Sequence, residues 1–220
     1  MVSPKLVVKE EKRKQIARAA LGVFSKKGYT ATIVREIATA AGMGKGTLYE
    51  YFPTKADIFV AAAKYWLNQL EVRFSIRLGR SEDPAKRLMI LSQAFAELVD
   101  PLDSANARMS VEVIREAALE EGVLFNRRFE MREMMRGTQQ MVEQVILDGI
   151  SRGTFKPEIA EHVDKIAVNF IAYLDGILLH SVITQKNFDL KENVDFYMNT
   201  LIHSISNLSA GSAQHGTVLS

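Results

Sequence analysis

Apolar residues recur along this chain at intervals of three and four, and no stretch shows the strict alternation of a half-buried strand. Over 10–27, Ile16, Ala20, Val23 and Phe24 fall on one stripe, and Gly28 follows as a helix terminator. Ile37, Ala38 and Ala41 form the next stripe and predict a helix over 32–41. Gly42 supplies the positive φ that a reversal needs, and Met43, Leu48 and Phe52 anchor a second short helix over 44–52. Pro53 and Thr54 stop that helix and start a longer one over 55–78, through Ile58, Phe59, Ala62, Trp66 and Leu70. Ser81-Glu82-Asp83-Pro84 restarts the chain with a capping residue and a proline in the first turn. Further helices are predicted over 84–99, 105–120, 123–151, 158–184 and 190–208, with Gly153 and Pro157 as punctuation. The expectation is an all-α protein, with a small, polar tail over 209–220 that is expected to be disordered.

Two short helices joined by a glycine turn, over 32–55, are the pattern of a DNA-reading helix-turn-helix. Projected at about 100° per residue, the second helix turns Leu48 and Phe52 inward. Lys45 and Tyr49 lie on one flank, Thr47 and Tyr51 on the other, and Gly46 and Glu50 point away from the core. Lysine and tyrosine hold phosphates, while a glycine lets backbone approach base edges, and a helix N-terminus adds N–H donors. Glu50 either accepts from a cytosine amine or points to solvent.

The run Ala38-x-x-Ala41-Gly42-Met43-Gly44-Lys45-Gly46-Thr47-Leu48-Tyr49-x-Tyr51-Phe52-x-x-Lys55 resembles the DNA-binding domain of the TetR family of bacterial transcriptional regulators. The likeness starts upstream, with Ile16-x-x-Ala19-Ala20-x-x-x-Phe24-x-x-x-Gly28-Tyr29, and covers roughly residues 11 to 60. It implies an N-terminal three-helix helix-turn-helix domain over 1–55 and a helical ligand-binding and dimerisation domain over 56–208. It further implies that Lys45, Gly46 and Thr47 face bases, with Tyr49, Tyr51 and Lys55 on phosphates. Thr32 and Arg35 complete the set of residues expected on double-stranded DNA. Gly44 stands where the family commonly has serine, which weakens the N-cap of the second helix.

Charge reinforces this reading. Residues 1–55 carry eleven Lys/Arg against four Glu, a net +7, while the remaining 17 basic and 22 acidic residues leave the body at −5. A basic head on an acidic body suits a phosphate-binding module attached to one that does not touch DNA. There is no cysteine, so disulfides, thiolate chemistry and cysteine-based zinc sites are excluded, which fits a reducing cytoplasm. The first residues lack the apolar core of a signal peptide, and Asn169, Asp175 and His180 interrupt the most apolar window, arguing against a membrane span.

Over 166–183 apolar residues occupy nearly the whole helix circumference, more than one core can cover. A homodimer is therefore expected, through Ile171, Leu174, Leu178 and Val182 together with Met198, Leu201 and Ile205. Dimerisation predicts a palindromic operator. Trp66, Phe95, Met109, Phe125, Phe129, Met134, Phe170 and Tyr173 either line a cavity for a hydrophobic small-molecule effector or are plain core. By the resemblance, an effector in the body shifts the helix carrying Trp66 and lowers DNA affinity, as expected of a repressor. The alternatives are a body that recruits another protein and a DNA binder with no effector. No cofactor or metal is expected: His162, His180, His203 and His215 lack metal-site spacing. Neither GxGxxG nor GxSxG occurs, so no enzymatic activity is expected.

Overall fold

The computed structural model describes residues 4–98, 105–184 and 188–207. Among these residues there are nine α-helices and no strand. They are α1 Pro4–Ala31, α2 Val34–Ala40, α3 Lys45–Tyr51, α4 Lys55–Leu78, α5 Pro84–Leu98, α6 Ala105–Ala118, α7 Arg128–Ser151, α8 Val163–Thr184 and α9 Leu190–Ile205. The tail expected over 209–220 and the side chain of Met134 lie outside the described residues.

The chain forms two compact units: residues up to Arg73 with Leu98–Met135, and Phe74–Glu97 with the chain from Arg136 onward. The first holds the three-helix head. α1 packs against α2, α3 and α6, and Ile16, Ala20, Phe24, Ile37, Leu48 and Phe52 are buried. Phe24 meets Phe59 edge to face at 5.0 Å, and Tyr29 closes the cluster against Phe59 at 5.3 Å. The stripe predicted over 10–27 thus faces the core. Helical dihedrals break at Gly28, with φ 74°, as the terminator predicts, although hydrogen bonding continues to Ala31.

The helix expected over 123–151 begins instead as a 3-10 turn, Phe125–Arg127, before α7. The cause lies in Glu116, which is 4% exposed although charged. Its carboxylate takes the Val123 N–H at 2.9 Å and Arg115 at 2.6 Å, while its carbonyl takes the Leu124 N–H at 3.1 Å. These bonds fold the chain back on the end of α6. Gly122 fits there because a Cβ would lie 2.2 Å from the Glu116 carbonyl oxygen.

In the second unit α8 packs against α9. The phenol of Tyr173 donates to the Asn193 carbonyl at 2.9 Å, and its ring stacks on Tyr197 at 3.8 Å. The helix expected over 158–184 starts with a 3-10 segment, Pro157–His162, with Pro157 in its first turn, and α8 follows it. Phe155 is wholly buried, and its ring occupies the space beside Gly149 where a Cβ would meet it at 2.1 Å. Next to it, the Lys156 and Asn207 N–H groups bond the carbonyls of Ile205 and Thr154, each at 2.9 Å, tying the end of α9 to this turn.

Candidate nucleic-acid interface

α3 is built around two buried side chains, Leu48 (0% exposed) and Phe52 (1%). Their spacing leaves Lys45, Gly46, Thr47, Tyr49 and Glu50 exposed on a continuous outer side. The ammonium of Lys45 sits 5.7 Å from the centre of the Tyr49 ring, so the flank predicted by helical projection is present. Glu50 points to solvent and makes no ion pair among the described residues. No side chain caps the first turn at Gly44, as expected where glycine replaces serine.

The turn ahead of α3 is closed by backbone bonds. Gly42, at φ 68°, donates to Thr39 at 3.1 Å, and Met43 donates to Ala38 at 3.0 Å, which satisfies the last carbonyls of α2. At the start of α2, Glu36 accepts the Ile33 N–H at 3.3 Å and also pairs with Lys27. Lys27 first, then that N–H, holds the Glu36 carboxyl below its ordinary range.

α1 grips the central turn and the far end of the reading segment. Gln15 donates to the Ala41 carbonyl at 2.9 Å, beyond α2. Arg13 donates to the Tyr51 carbonyl at the end of α3, and its guanidinium lies 4.2 Å over the Phe52 ring. Neither residue is singled out by sequence patterning. One polar residue among several on the exposed side of α1 gives no sign of reaching a helix end 38 positions away.

The residues expected on DNA divide into two groups. Arg35, Lys45, Gly46, Thr47 and Tyr49 are exposed, and Tyr51 is half-buried. Thr32 is instead enclosed, at 1% exposure, and its hydroxyl donates to the Gly28 carbonyl at 2.7 Å. Lys55 is half-buried and turned inward. Its ammonium donates to the carbonyls of Tyr29, Thr32 and Thr30 at 2.8, 3.0 and 3.4 Å, with the Tyr29 ring at 4.3 Å.

α4 starts with a reciprocal cap. The Thr54 hydroxyl accepts the Asp57 N–H at 3.1 Å and donates to the Asp57 carboxylate at 2.7 Å. Thr54, and further Arg127 at 2.8 Å, holds Asp57 below the usual carboxylate range. Burial pushes the Tyr29 phenol above its ordinary value.

Among the residues expected around an effector, Trp66 and Met109 are buried in the first unit, where the Trp66 indole donates to Asn106 at 3.1 Å. Phe125 is half-buried, and Phe129 is 70% exposed, so Phe129 faces solvent rather than an interior. In the second unit Phe170 is buried, while Phe95 and Tyr173 are half-buried.

Of the seven residues expected at a dimer seam, four are enclosed within the protomer. Leu174, Leu178, Met198 and Ile205 are at most 5% exposed within the single chain, and Ile171, Val182 and Leu201 are half-buried. The first four belong to the protomer's own interior, and the other three lie at its margin. The open apolar side instead carries Val168, Ile183 and Phe196, with Ala172 and Gly176 between them. A helix that is apolar nearly all round offers no amphipathic contrast from which to choose its inward side.

Comparison with known proteins places these observations. The family described as bacterial regulatory proteins, tetR family, matches residues 16–62, the span from α1 into α4. The HTH-type transcriptional regulator HbdR of Aromatoleum is 30% identical over 159 residues, 71% of this chain and 65% of HbdR. The fatty acid metabolism regulator protein of Bacillus subtilis is 26% identical over 90% of this chain and 98% of its own length. A crystal structure of the regulator FadR from Bacillus subtilis, in complex with stearoyl-CoA, superposes with a TM-score of 0.69 at 23% identity. It covers 87% of this chain and 98% of that one, and shares its fold.

Proposed function

The chain belongs to the tetR family of bacterial regulatory proteins and is a transcriptional regulator, and we propose that it represses transcription as a homodimer on a palindromic operator until a hydrophobic effector binds. The observation that carries this reading is the exposed side of α3 on its buried Leu48–Phe52 base. Lys45, Gly46 and Thr47 face base edges, and Tyr49 and Tyr51 hold phosphates, with Arg35 of α2 beside them. Residues 1–55 read DNA, and residues 56–208 carry the dimer and effector functions.

Dimerisation runs through the open sides of α8 and α9. Val168, Ile183 and Phe196 supply apolar area, and Ala172 and Gly176 let a second α8 approach closely. A two-fold arrangement sets two α3 helices about 34 Å apart, one turn of DNA. Among the described residues, α8 lies in the one segment, Pro157–Thr184, that is long and apolar enough to cross a bilayer. A dimer seam accounts for that apolarity, and we assign the protein to the cytoplasm.

An acyl-chain ligand is the effector class supported by the fatty-acid regulators among its relatives. Trp66 bonds Asn106 between α4 and α6, and Glu112 of α6 bonds Tyr29 at the end of α1. An effector that shifts α4 against α6 therefore moves the head, and DNA is released in proportion to its preference for the shifted state. Genomic selection of bound DNA fragments, followed by gel shifts with wild type and Lys45→Ala, tests the reading. Recovery of palindromic sites that lose affinity in the variant supports it, and recovery of no common sequence refutes it. Stearoyl-CoA titrated into the protein–DNA complex tests the effector.

A further inference from the structure

Lys55 is the last basic residue of the head, and the family likeness sets it on a phosphate. Its surroundings direct it elsewhere. A lysine ammonium has three N–H donors and no acceptor. Here three carbonyls take them, those of Tyr29, Thr32 and Thr30 at 2.8, 3.0 and 3.4 Å, and the face of the Tyr29 ring lies 4.3 Å away. The carbonyls lie just past the kink at Gly28, in the last residues of α1 and the link to α2. The three donors of the ammonium are thus taken up within the head, without any ligand.

Its position in the chain gives the arrangement a purpose. The reading segment runs from Ile33, before α2, to Phe52, after α3. Thr32 immediately precedes that segment and Lys55 follows it by three residues, so the bond between them closes the segment into a loop. Thr32 is fixed in turn by its hydroxyl bond to Gly28. We infer that Lys55 is a positioning residue that sets the orientation of α3 from inside the head, and that it does not neutralise a DNA phosphate. This rests on the DNA-binding reading and changes which cations count toward it: Lys45 and Arg35 remain outward, and Lys55 does not.

The test compares Lys55→Gln and Lys45→Ala on two duplexes of equal length, one recovered by selection against the protein and one of mixed sequence. Each lysine lost from a phosphate lowers the slope of log K against log salt by about 0.9. For Lys55→Gln the expected result is an unchanged slope and unchanged mixed-duplex affinity, with affinity for the selected duplex down about tenfold. Lys45→Ala, which removes an outward cation from the DNA-facing side, should lower both the slope and the affinity for the selected duplex. A fall in both affinities and in the slope for Lys55→Gln overturns the inference. So does a variant that melts earlier yet keeps wild-type affinity for both duplexes, because Lys55 would then be merely structural.

A second arm uses the wild-type protein alone. Brief acetylation with a water-soluble anhydride, read by peptide mass, should modify Lys45 readily and Lys55 slowly, with DNA protecting only Lys45. Lys55 reacting as fast as Lys45 in the free protein overturns the assignment. The comparison of the two lysines in the free protein needs no DNA, so it separates failure here from failure of the DNA-binding reading.

Discussion

The carboxylate of Glu112 in α6 accepts the backbone N–H of Tyr29, 83 residues earlier, where α1 turns at Gly28. The opposite face of the same residue is held by Lys55, which donates to the Tyr29 carbonyl. One residue is therefore clasped by α6 on its N–H and by α4 on its C=O. Gly28 belongs to this joint, since its φ is 74° and a Cβ would sit 3.0 Å from a Glu112 oxygen.

Replacing Glu112 with Ala strands a half-buried N–H and should lower stability by about 1–3 kcal/mol, whereas Gln, which can still accept, should cost less. Burial pushes the Glu112 carboxyl up, but Arg115 and the Tyr29 N–H outweigh it, and the folded value lies below 4.5. A depressed carboxylate stabilises the fold above its unfolded value, and that contribution disappears as pH falls through the folded one. Thermal melts from pH 7 to 3 should show Glu112→Gln losing less stability than wild type over that fall.

Asp175 behaves oppositely. It lies on α8 among apolar neighbours in sequence, and burial pushes its carboxyl up to about 6. Its charged form is disfavoured in the fold, so stability falls as pH rises from 3.8 to about 6 and then levels off. Asp175→Asn should raise the melting temperature above pH 6, by at most about 3 kcal/mol in stability, and change little near pH 3. A stability gain independent of pH would argue against this.

Phe196→Asp places a charge on the open side of α9, where the ring is 75% exposed. Light scattering should report a monomer that keeps its helical circular dichroism. Leu178→Asp, at a position with no exposure, should unfold the protomer instead. The two outcomes distinguish the seam between protomers from the interior of one.

Gly42→Ala meets no atom within 4 Å, so its effect is purely conformational. A left-handed φ of 68° costs a side chain about 1–2 kcal/mol. Chemical denaturation should show that loss.

The DNA-reading element was legible because its determinants are local. Leu48 and Phe52 lie four positions apart on a short helix, and Gly28 and Gly42 are glycines where positive φ is required. The inward turn of Lys55 was not legible, because its partners lie 23 to 26 residues away and are backbone carbonyls that any residue would present. The buried charge of Glu116 was hidden for the same reason, since Val123 offers only its N–H. On α8 the difficulty was different: apolar residues all round the helix left two sides equally eligible for the interior.

The contact between Gly149 and Phe155 carries a historical consequence. A Cβ at 149 and the ring at 155 exclude each other, at 2.1 Å. Position 149 is then not free to drift alone: it can gain a side chain only in a lineage where 155 has already shrunk. Sequences descended from a common ancestor should therefore show these two columns changing together, with glycine preserved wherever the aromatic ring is retained.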